Sequence, residues 1–307
     1  MLDLHRLRLL RELKHRGTLA AVAAALSYSP SSVSQQLSVL EAEVGVALLE
    51  PVGRRVRLTE QAEILVAHTD VLLERLERAE ADIAASLAAV TGTLRVAAFQ
   101  TAVLALVPPA LTLLREEHPG LRVHVVQAEP EAALPALLAR DVDLVVAEEY
   151  PGHAVARPAE VDAVELCGDE MRLALPPDSA SSADEPAAAL RALAGRPWVM
   201  EPAGTASRRW ATAVCRQAGF EPDVRFESPD LLVQLRLVEQ GHAAALLPDL
   251  LWGGGAPTVP LLPLPLPDGG RTRRLFTAVR HGSEGHPAAR ACRAALRRAV
   301  ERARCLP

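Results

Sequence analysis

The 307-residue sequence predicts an α/β protein in three parts: a winged helix-turn-helix head, one long linking helix, and a body of alternating strands and helices. Residues 18–41 pair an alanine-rich helix with an amphipathic helix across a short polar break. Residues 59–90 contain no glycine or proline, so they predict one long helix. From Thr93 onward, β-branched segments alternate with helical ones, which indicates parallel, doubly wound sheets.

The second helix of the head has two contrasting faces. Val33, Leu37 and Leu40 follow the spacing i, i+4, i+7 and therefore share one apolar face. The opposite face carries small, uncharged hydrogen-bonding side chains, which suit the reading of base edges in a major groove. These side chains are Ser31, Ser32, Ser34, Gln35 and Ser38. An ordinary helical hairpin with a solvated polar face is the alternative.

The segments that flank this pair favour the helix-turn-helix interpretation. Leucines at positions 4, 7, 10 and 13 predict a preceding helix that could complete a three-helix core. After the second helix, apolar residues on both sides of Gly53-Arg54-Arg55 predict a small β-hairpin, or wing. Arg54 and Arg55 at its tip would lie near the phosphate backbone of DNA. Taken alone, an arginine pair at a turn is more often simply solvated.

The long helix is predicted to begin after Thr59 as its N-cap and to reach Val90. Its residues fit heptads, in which positions 65, 72, 76, 83 and 90 are large aliphatic residues. A helix this polar needs a partner that buries its apolar seam, and a second copy of the chain is the obvious one. Packing of the helix on its own body is the alternative.

Charge and composition limit the classes of function. The formal net charge is −5, but residues 1–58 hold eight Lys or Arg and five Asp or Glu, which gives the head +3 and the remainder −8. A mildly basic head on an acidic body fits a DNA reader with a separate module. Four scattered cysteines without a C-x-x-C pair predict reduced thiols, a cytoplasmic location and no metal site. No signal peptide, membrane span, cofactor motif or catalytic motif is recognised.

At this point a family resemblance becomes specific. Residues 1 to about 65 resemble the winged helix-turn-helix of LysR-type transcriptional regulators, through the segments LDLHRLRLLRELKHRGTLAAVAAAL, SPSSVSQQLSVLEAEVGVALLE and GRRVRLTEQAE. Two positions depart from the family pattern: Pro51 stands where a basic residue is common, and Ala62 stands where glycine is common. Pro51 removes one expected phosphate contact and a backbone donor, which should weaken non-specific binding.

Residues 93–307 resemble the effector-binding domain of the same family, through LVPPALTLLREEHPGLRV, ARDVDLVV and FESPDLLVQLRLVEQGHAAALLP. Residue patterns alone leave one large sheet or two lobes open, whereas the resemblance implies the two-lobed fold of periplasmic solute-binding proteins (type 2). The resulting divisions are a head at 1–58, a linker and dimerisation helix at 59–91, and an effector domain at 92–307, with lobe I at 93–166 and 272–307 and lobe II at 167–271.

The resemblance implies a cytoplasmic, ligand-responsive transcriptional regulator that is not an enzyme and uses no cofactor. Its expected partners are a dyad-symmetric operator in double-stranded DNA, a small-molecule effector, further copies of the chain as a dimer or dimer of dimers, and RNA polymerase, but no membrane. Ser31, Ser34 and Gln35 are expected to contact bases. The full set of residues expected at DNA is Thr18, Ser29, Ser31, Ser32, Ser34, Gln35, Ser38, Arg54 and Arg55.

A two-lobed body binds its ligand between the lobes, where strands lead into helices. The Gln100-Thr101 turn would hold an anionic group, while Glu148 and Glu201 would attract a cationic one, so an amino acid or an organic acid is expected. The residues expected at the effector are Gln100, Thr101, Glu148, Glu201, Thr205, Phe226 and Glu227. The alternative function is a cytoplasmic small-molecule-binding protein or an enzyme on this body, with a head that does not bind DNA.

Overall fold

The computed structural model describes most of the chain. The described residues are 1–26, 28–53, 55–153, 160–179, 185–253, 255–267 and 270–304, without the side chains of Arg55, Ser179 and Arg304. In this part of the chain, no helix combines the length and the apolar character that a bilayer crossing requires.

The head consists of three helices and a hairpin. Its elements are α1 (Leu4–Arg16), α2 (Leu19–Leu26), α3 (Pro30–Val44), β1 (Leu49–Val52) and β2 (Arg55–Leu58). The hairpin strands pair antiparallel, as the wing prediction requires. Val33, Leu37 and Leu40 are at most 1% exposed in the head core, so the apolar face of α3 is confirmed. Leu4 is the one member of the predicted leucine stripe that stays exposed.

The linking helix α4 (Glu60–Ala85) begins where the sequence predicts and ends five residues before Val90. The Thr59 hydroxyl accepts a hydrogen bond from the Ala62 amide at 3.2 Å, which caps its start. At the other end, the Ser86 hydroxyl donates to the Ile83 carbonyl at 2.7 Å. Such a local bond competes with helix propagation, which explains the early end.

Two faces of α4 have different surroundings. One face is buried against the chain itself through Ala62, Val66, Thr69, Leu73, Glu77 and Ala81. On the other face, Leu72, Leu76 and Ile83 from the predicted heptad seam are 51%, 40% and 66% exposed. Packing on its own body therefore occurs on one face, while three of the five predicted seam residues stay uncovered within a single chain. The other two, Leu65 and Val90, pack against the head core and the core of lobe I.

The body continues the chain with alternating strands and helices. Its strands are β3 (Gly92–Ala98), β4 (Leu121–Gln127), β5 (Leu144–Glu149), β6 (Val161–Ala174), β7 (Pro197–Met200), β8 (Asp223–Glu227), β9 (Ala245–Pro248), β10 (Leu261–Pro263) and β11 (Thr272–Arg280). Its helices are α5 (Gln100–Ala105), α6 (Val107–Glu117), α7 (Pro130–Leu138), α8 (Pro186–Ala192), α9 (Ala206–Gln217), α10 (Leu231–Glu239) and α11 (Pro287–Arg304).

The strands build two lobes that share β6. In lobe I, β3 runs parallel to β4 and β5, while β11 pairs antiparallel with β5 and β6. In lobe II, β7 and β8 pair parallel, and β9 and β10 pair antiparallel with the second half of β6. Cys167 on β6 belongs to the core of lobe I, whereas Met171 belongs to that of lobe II. The strand therefore crosses between lobes.

Candidate DNA-binding surface and effector cleft

The outer face of α3 is free to meet a partner. Ser31, Ser34, Gln35 and Ser38 are exposed and Ser32 is half-buried. Within the described residues, the side chains of Ser34 and Gln35 form no hydrogen bond, so their polar groups are available for base edges. The uncharged reading face that the sequence predicts is thus on the surface.

Of the other residues predicted to contact DNA, some cap helices and some lie outside the part of the chain that the structure describes. The Ser29 hydroxyl accepts from the Ser32 amide at 3.1 Å and caps α3, and the Thr18 hydroxyl accepts from the Ala21 amide at 3.1 Å near the start of α2. Capping hydroxyls at helix starts still lie where a phosphate would approach. Arg54 is outside the described residues, and the side chain of Arg55 is not described, so these two contacts stay predictions.

Polar ties hold the reading helix in place. Arg6 on α1 donates to Gln36 on α3 at 3.1 Å. A carboxylate oxygen of Glu41 accepts from the Leu48 and Leu49 amides at 2.8 and 3.0 Å, which fixes the start of the wing against α3. Glu41 was not among the predicted functional residues, although it lies within the segment SPSSVSQQLSVLEAEVGVALLE that carries the family resemblance.

In the body, Arg273 organises the inner wall of the cleft between the lobes. Its guanidinium, 1% exposed, forms ion pairs with Glu148 and, at 2.7 Å, with Asp169. It also donates to the Thr101 hydroxyl at 2.6 Å and lies 5.2 Å from the centre of the Phe99 ring. The predicted residues Thr101 and Glu148 are thereby brought together, but Thr101 is fully buried. The sequence analysis missed Arg273, which stands in an arginine-rich run beside Arg274.

A narrow acidic cavity of about 20 Å³ lies next to this cluster, between lobes I and II. Among its lining residues are Glu129, Glu131, Glu148, Tyr150, Glu201, Thr205 and Ser207. Burial, with repulsion from Glu148, raises the pKa of Glu129 to about 8 and that of Glu201 to about 7. Protons therefore neutralise part of this cluster near neutral pH. Glu129 was not predicted, whereas Glu148, Glu201 and Thr205 were.

One predicted residue joins the two lobes directly. Gln100 at the start of α5 donates to Asp230 at 2.6 Å and accepts from the Leu231 amide at 2.8 Å, at the beginning of α10 in lobe II. The two remaining predicted residues lie away from the cavity. Phe226 packs beside the core of lobe II, and Glu227 is paired with Arg208 at 2.9 Å.

A larger cavity of about 440 Å³ lies between β6, α11 and the short 3-10 helix at 249–252. Its carboxylates already have ion-pair partners: Asp169 pairs with Arg273, Asp249 with Arg172, and Glu170 with both Arg172 and Arg271. The acidic cavity between the lobes is therefore the better candidate for a charged effector.

The described thiols offer little redox chemistry. Cys167, Cys215 and Cys292 are buried. Burial raises the pKa of Cys215 and of Cys292 to about 12, so neither forms the reactive thiolate at neutral pH. Cys305 lies outside the described residues.

Comparison with known proteins agrees with this architecture. Residues 4–63 match the family described as bacterial regulatory helix-turn-helix protein, lysR family, and residues 87–301 match the LysR substrate binding domain. The chain is 26% identical to the transcriptional dual regulator GltC of Bacillus subtilis over 276 residues, which cover 88% of this chain and 89% of GltC. It is 29% identical to a "probable hydrogen peroxide-inducible genes activator" of Mycobacterium avium, over 75% of this chain and 72% of that protein.

Solved structures share the fold at low identity. Full-length OxyR from Pseudomonas aeruginosa, in a cysteine-substituted form, superposes with a TM-score of 0.67 at 19% identity, covering 97% of this chain and 95% of that one. Full-length CbnR in complex with its target DNA superposes with a TM-score of 0.54 at 21% identity, covering 97% of this chain and 100% of that one.

Proposed function

The chain belongs to the LysR family of bacterial transcriptional regulators, and we propose that it binds a dyad-symmetric operator as a homo-oligomer and responds to a small metabolite whose cationic nitrogen group is held between its lobes. Regulators of this family are DNA-binding proteins of the bacterial cytoplasm and are not enzymes. The observation that carries the proposal is the exposed serine and glutamine face of α3 on its fully buried apolar back.

Base reading is assigned to α3. Gln35 has an amide that can bond an adenine edge through two hydrogen bonds, and Ser31 and Ser34 stand on the same exposed side. Ser29, Ser32 and Thr18 would contact phosphates at helix starts, and Arg54 and Arg55 would do so at the wing. The wing is held to α3 by Glu41, which gives both elements one fixed geometry on the duplex.

Self-association is assigned to the exposed seam of α4. Leu72, Leu76 and Ile83 are each at least 40% exposed on one face of the helix. A second copy of α4 would bury this seam and carry two heads to half-sites about one helical turn of DNA apart. A dimer of such dimers, and a contact with RNA polymerase, extend the proposal to the functional complex.

The effector is assigned a cationic nitrogen group. Glu129, Glu148 and Glu201 converge on the cavity between the lobes, and the charge of Arg273 is already matched by Glu148 and Asp169. A ligand ammonium group could replace the protons that Glu129 and Glu201 retain near neutral pH. Because the cavity is only about 20 Å³ in this structure, the lobes must separate to admit the ligand.

A carboxylate on the same ligand would complete an amino acid. When the lobes separate, the Leu231 N–H at the start of α10 loses its bond to the Gln100 side-chain oxygen, and the Gln100 NH2 group loses its bond to Asp230. Both groups then become donors for an anion. We therefore rank amino acids and related zwitterions first. A thermal-shift screen of amino acids, diamines and organic acids tests this ranking, and stabilisation by dicarboxylates alone would contradict it.

Footprinting tests the DNA-binding function. The full-length protein should protect a dyad-symmetric site upstream of its own gene or of an oppositely transcribed neighbour, and bind it ~10³-fold or more tightly than random DNA at equal salt. Equal affinity for both DNAs at all salt concentrations would exclude specific operator reading. The outcome does not depend on knowing the effector.

A further inference from the structure

Helix α7 lies between the acidic cavity and the head. At its amino end, Glu129 and Glu131 line the acidic cavity between the lobes. At its carboxyl end, its last carbonyl groups accept hydrogen bonds from the head. The helix is nine residues long, so the two ends are only about 13 Å apart.

The contact at the carboxyl end joins lobe I to helix α1 of the head. Arg11, 4% exposed, donates to the Leu138 carbonyl at 2.7 Å. Arg16 donates to the Ala139 carbonyl at 3.3 Å and pairs with Asp141 at 2.9 Å. Carbonyls at a helix end have no partner within the helix and carry partial negative charge, so guanidinium groups fit them well. We call these contacts the head dock.

The linker helix is anchored beside the head dock. Glu77 on α4 is 4% exposed and accepts from Arg140 at 2.8 Å, from Arg280 at 2.5 Å and from the Ser283 hydroxyl. Arg280 also donates to the Leu137 carbonyl at 3.0 Å, at the same end of α7. Arg140 has φ +64°, and among the described residues it is the only non-glycine with positive φ. The turn after α7 is thus built to reach the linker.

We propose that α7 transmits the state of the cavity to the head, so that a cation bound between the lobes releases the head dock. This inference rests on the proposed function and names the route of its regulation. Ala133, Leu134 and Leu137 pack along one side of α7 in a single core, and in this proposal the nine-residue helix shifts as a unit. Hydrogen bonds to its last carbonyls tolerate only a few tenths of an ångström, which makes the head dock sensitive to a small shift of α7.

In the released state the head is no longer hydrogen-bonded to lobe I, whereas in the docked state it is. An effector favours release only by its higher affinity for the arrangement in which Glu129 has moved with α7. Release lets the head and α4 change their angle relative to lobe I, and therefore the spacing of two heads on DNA. The docked arrangement in this structure has the cavity nearly closed.

The test uses the substitution Glu129→Lys in the full-length protein, which places a tethered ammonium in the cavity as the probe. Hydrogen exchange of the α1 amides of residues 7–16 should rise about fivefold, which corresponds to about 1 kcal/mol of docking free energy. Glu165→Lys makes the same charge change on the exposed surface of β6 and should leave α1 exchange unchanged.

A second set of variants separates coupling from general loosening. Arg16→Gln removes the Arg16 contacts of the head dock and should raise α1 exchange by itself, and Glu129→Lys should therefore add less in that background than it does in the wild type. Arg16→Lys keeps the charge and should restore part of the response. Additive effects of Glu129→Lys and Arg16→Gln would overturn the proposal.

The remaining outcomes are also decisive. If Glu129→Lys changes exchange near Glu201 while α1 stays unchanged, α7 does not transmit and the proposal fails. If Glu129→Lys does not fold, the wild type and Glu129→Gln are compared at pH 6 and 9. Glu201 ionises in both proteins over this range, and only the wild type gains a second charge, at Glu129. Identical α1 protection after correction for intrinsic exchange would then reject the coupling. Footprinting of the wild type decides the DNA-binding function separately.

Discussion

Gln100 in lobe I donates a hydrogen bond of 2.6 Å to Asp230, the residue that caps α10 in lobe II. The same glutamine accepts from the Leu231 amide at 2.8 Å. One side chain therefore satisfies an orphan N–H at the start of a helix and holds the lobes together at this edge of the cleft.

Replacement of this bridge should loosen the lobes. In Gln100→Leu, two hydrogen bonds are lost and the buried Leu231 N–H has no partner, so the free energy of unfolding should fall by about 1–3 kcal/mol. Urea denaturation measures this change, and small-angle X-ray scattering should show a larger radius of gyration for the variant than for the wild type. Gln127→Leu at the exposed end of β4 is the control. Equal stability and radius would mean that the bridge contributes nothing to closure.

Removal of the glutamine amide on the reading helix should affect specific binding. Gln35→Ala should weaken operator binding by roughly 1–3 kcal/mol and relax the preference at one base pair. Gln217→Ala is the matched control, because it removes the same amide from an exposed position on α9 in lobe II, away from the head. Gel shifts on the operator and on random DNA provide the measurement. If Gln35→Ala weakens random DNA equally, the assignment of base reading to Gln35 is wrong.

Loss of charge at the wing tip should act on all sequences alike. Arg55→Ala should weaken operator and random DNA by the same factor and reduce the slope of log K against log salt by about 1. Arg57→Ala, on the same strand, removes an arginine that is already paired with Glu50 at 2.5 Å, so its effect on the slope should be smaller. A sequence-dependent loss in Arg55→Ala would instead indicate base contact.

The head could be predicted from the sequence because its determinants are local. The apolar spacing of Val33, Leu37 and Leu40, the cap at Ser29 and the wing turn all lie within about 25 residues of one another. Local periodicity decides such elements without knowledge of distant contacts. The predicted exposure of Gln35 followed directly from the same spacing.

The inner wall of the cleft could not be predicted in the same way. Arg273 is separated by 104 residues from Asp169 and by 125 from Glu148, and only the sheet brings them together. The first half of β6 contains Glu165, Gly168 and Asp169, residue types that are uncommon in strands, and it is a strand because it pairs with β11. Arg11 and Leu138, in the head dock, are 127 residues apart.

Because its described thiols are buried, we expect DNA binding by this protein not to respond to peroxide. The name of the Mycobacterium avium relative, by contrast, describes that protein as an activator of peroxide-inducible genes. With Cys305→Ser as background, Cys215 and Cys292 should react with iodoacetamide at pH 8 only as fast as the protein unfolds, because burial raises the pKa of both to about 12. Operator affinity should be the same before and after peroxide treatment. Rapid labelling of the native protein, located by mass spectrometry, would show that a thiol is accessible.

Stability should fall as the pH rises through the acidic cavity's titration range. Glu129 and Glu201 have pKa values of about 8 and 7 in the folded protein, above the ordinary value of 4.5. Between pH 4.5 and 8 the folded state therefore holds more protons than the unfolded state, and the free energy of unfolding decreases with pH. Glutamine mimics the protonated carboxyl and cannot ionise.

Glu129→Gln should consequently match the wild type near pH 5 and exceed it at pH 9, by ~1 kcal/mol or about 2–4 °C in Tm for a domain of this size. Glu201→Gln should act in the same direction with its midpoint about one pH unit lower. Glu165→Gln, on the exposed surface of β6, serves as the control and should give a wild-type profile. Thermal melts from pH 5 to 9 measure the slopes. A variant curve parallel to the wild type over this range would mean that these carboxyls ionise normally and that the cavity has no retained protons for a cationic effector to replace.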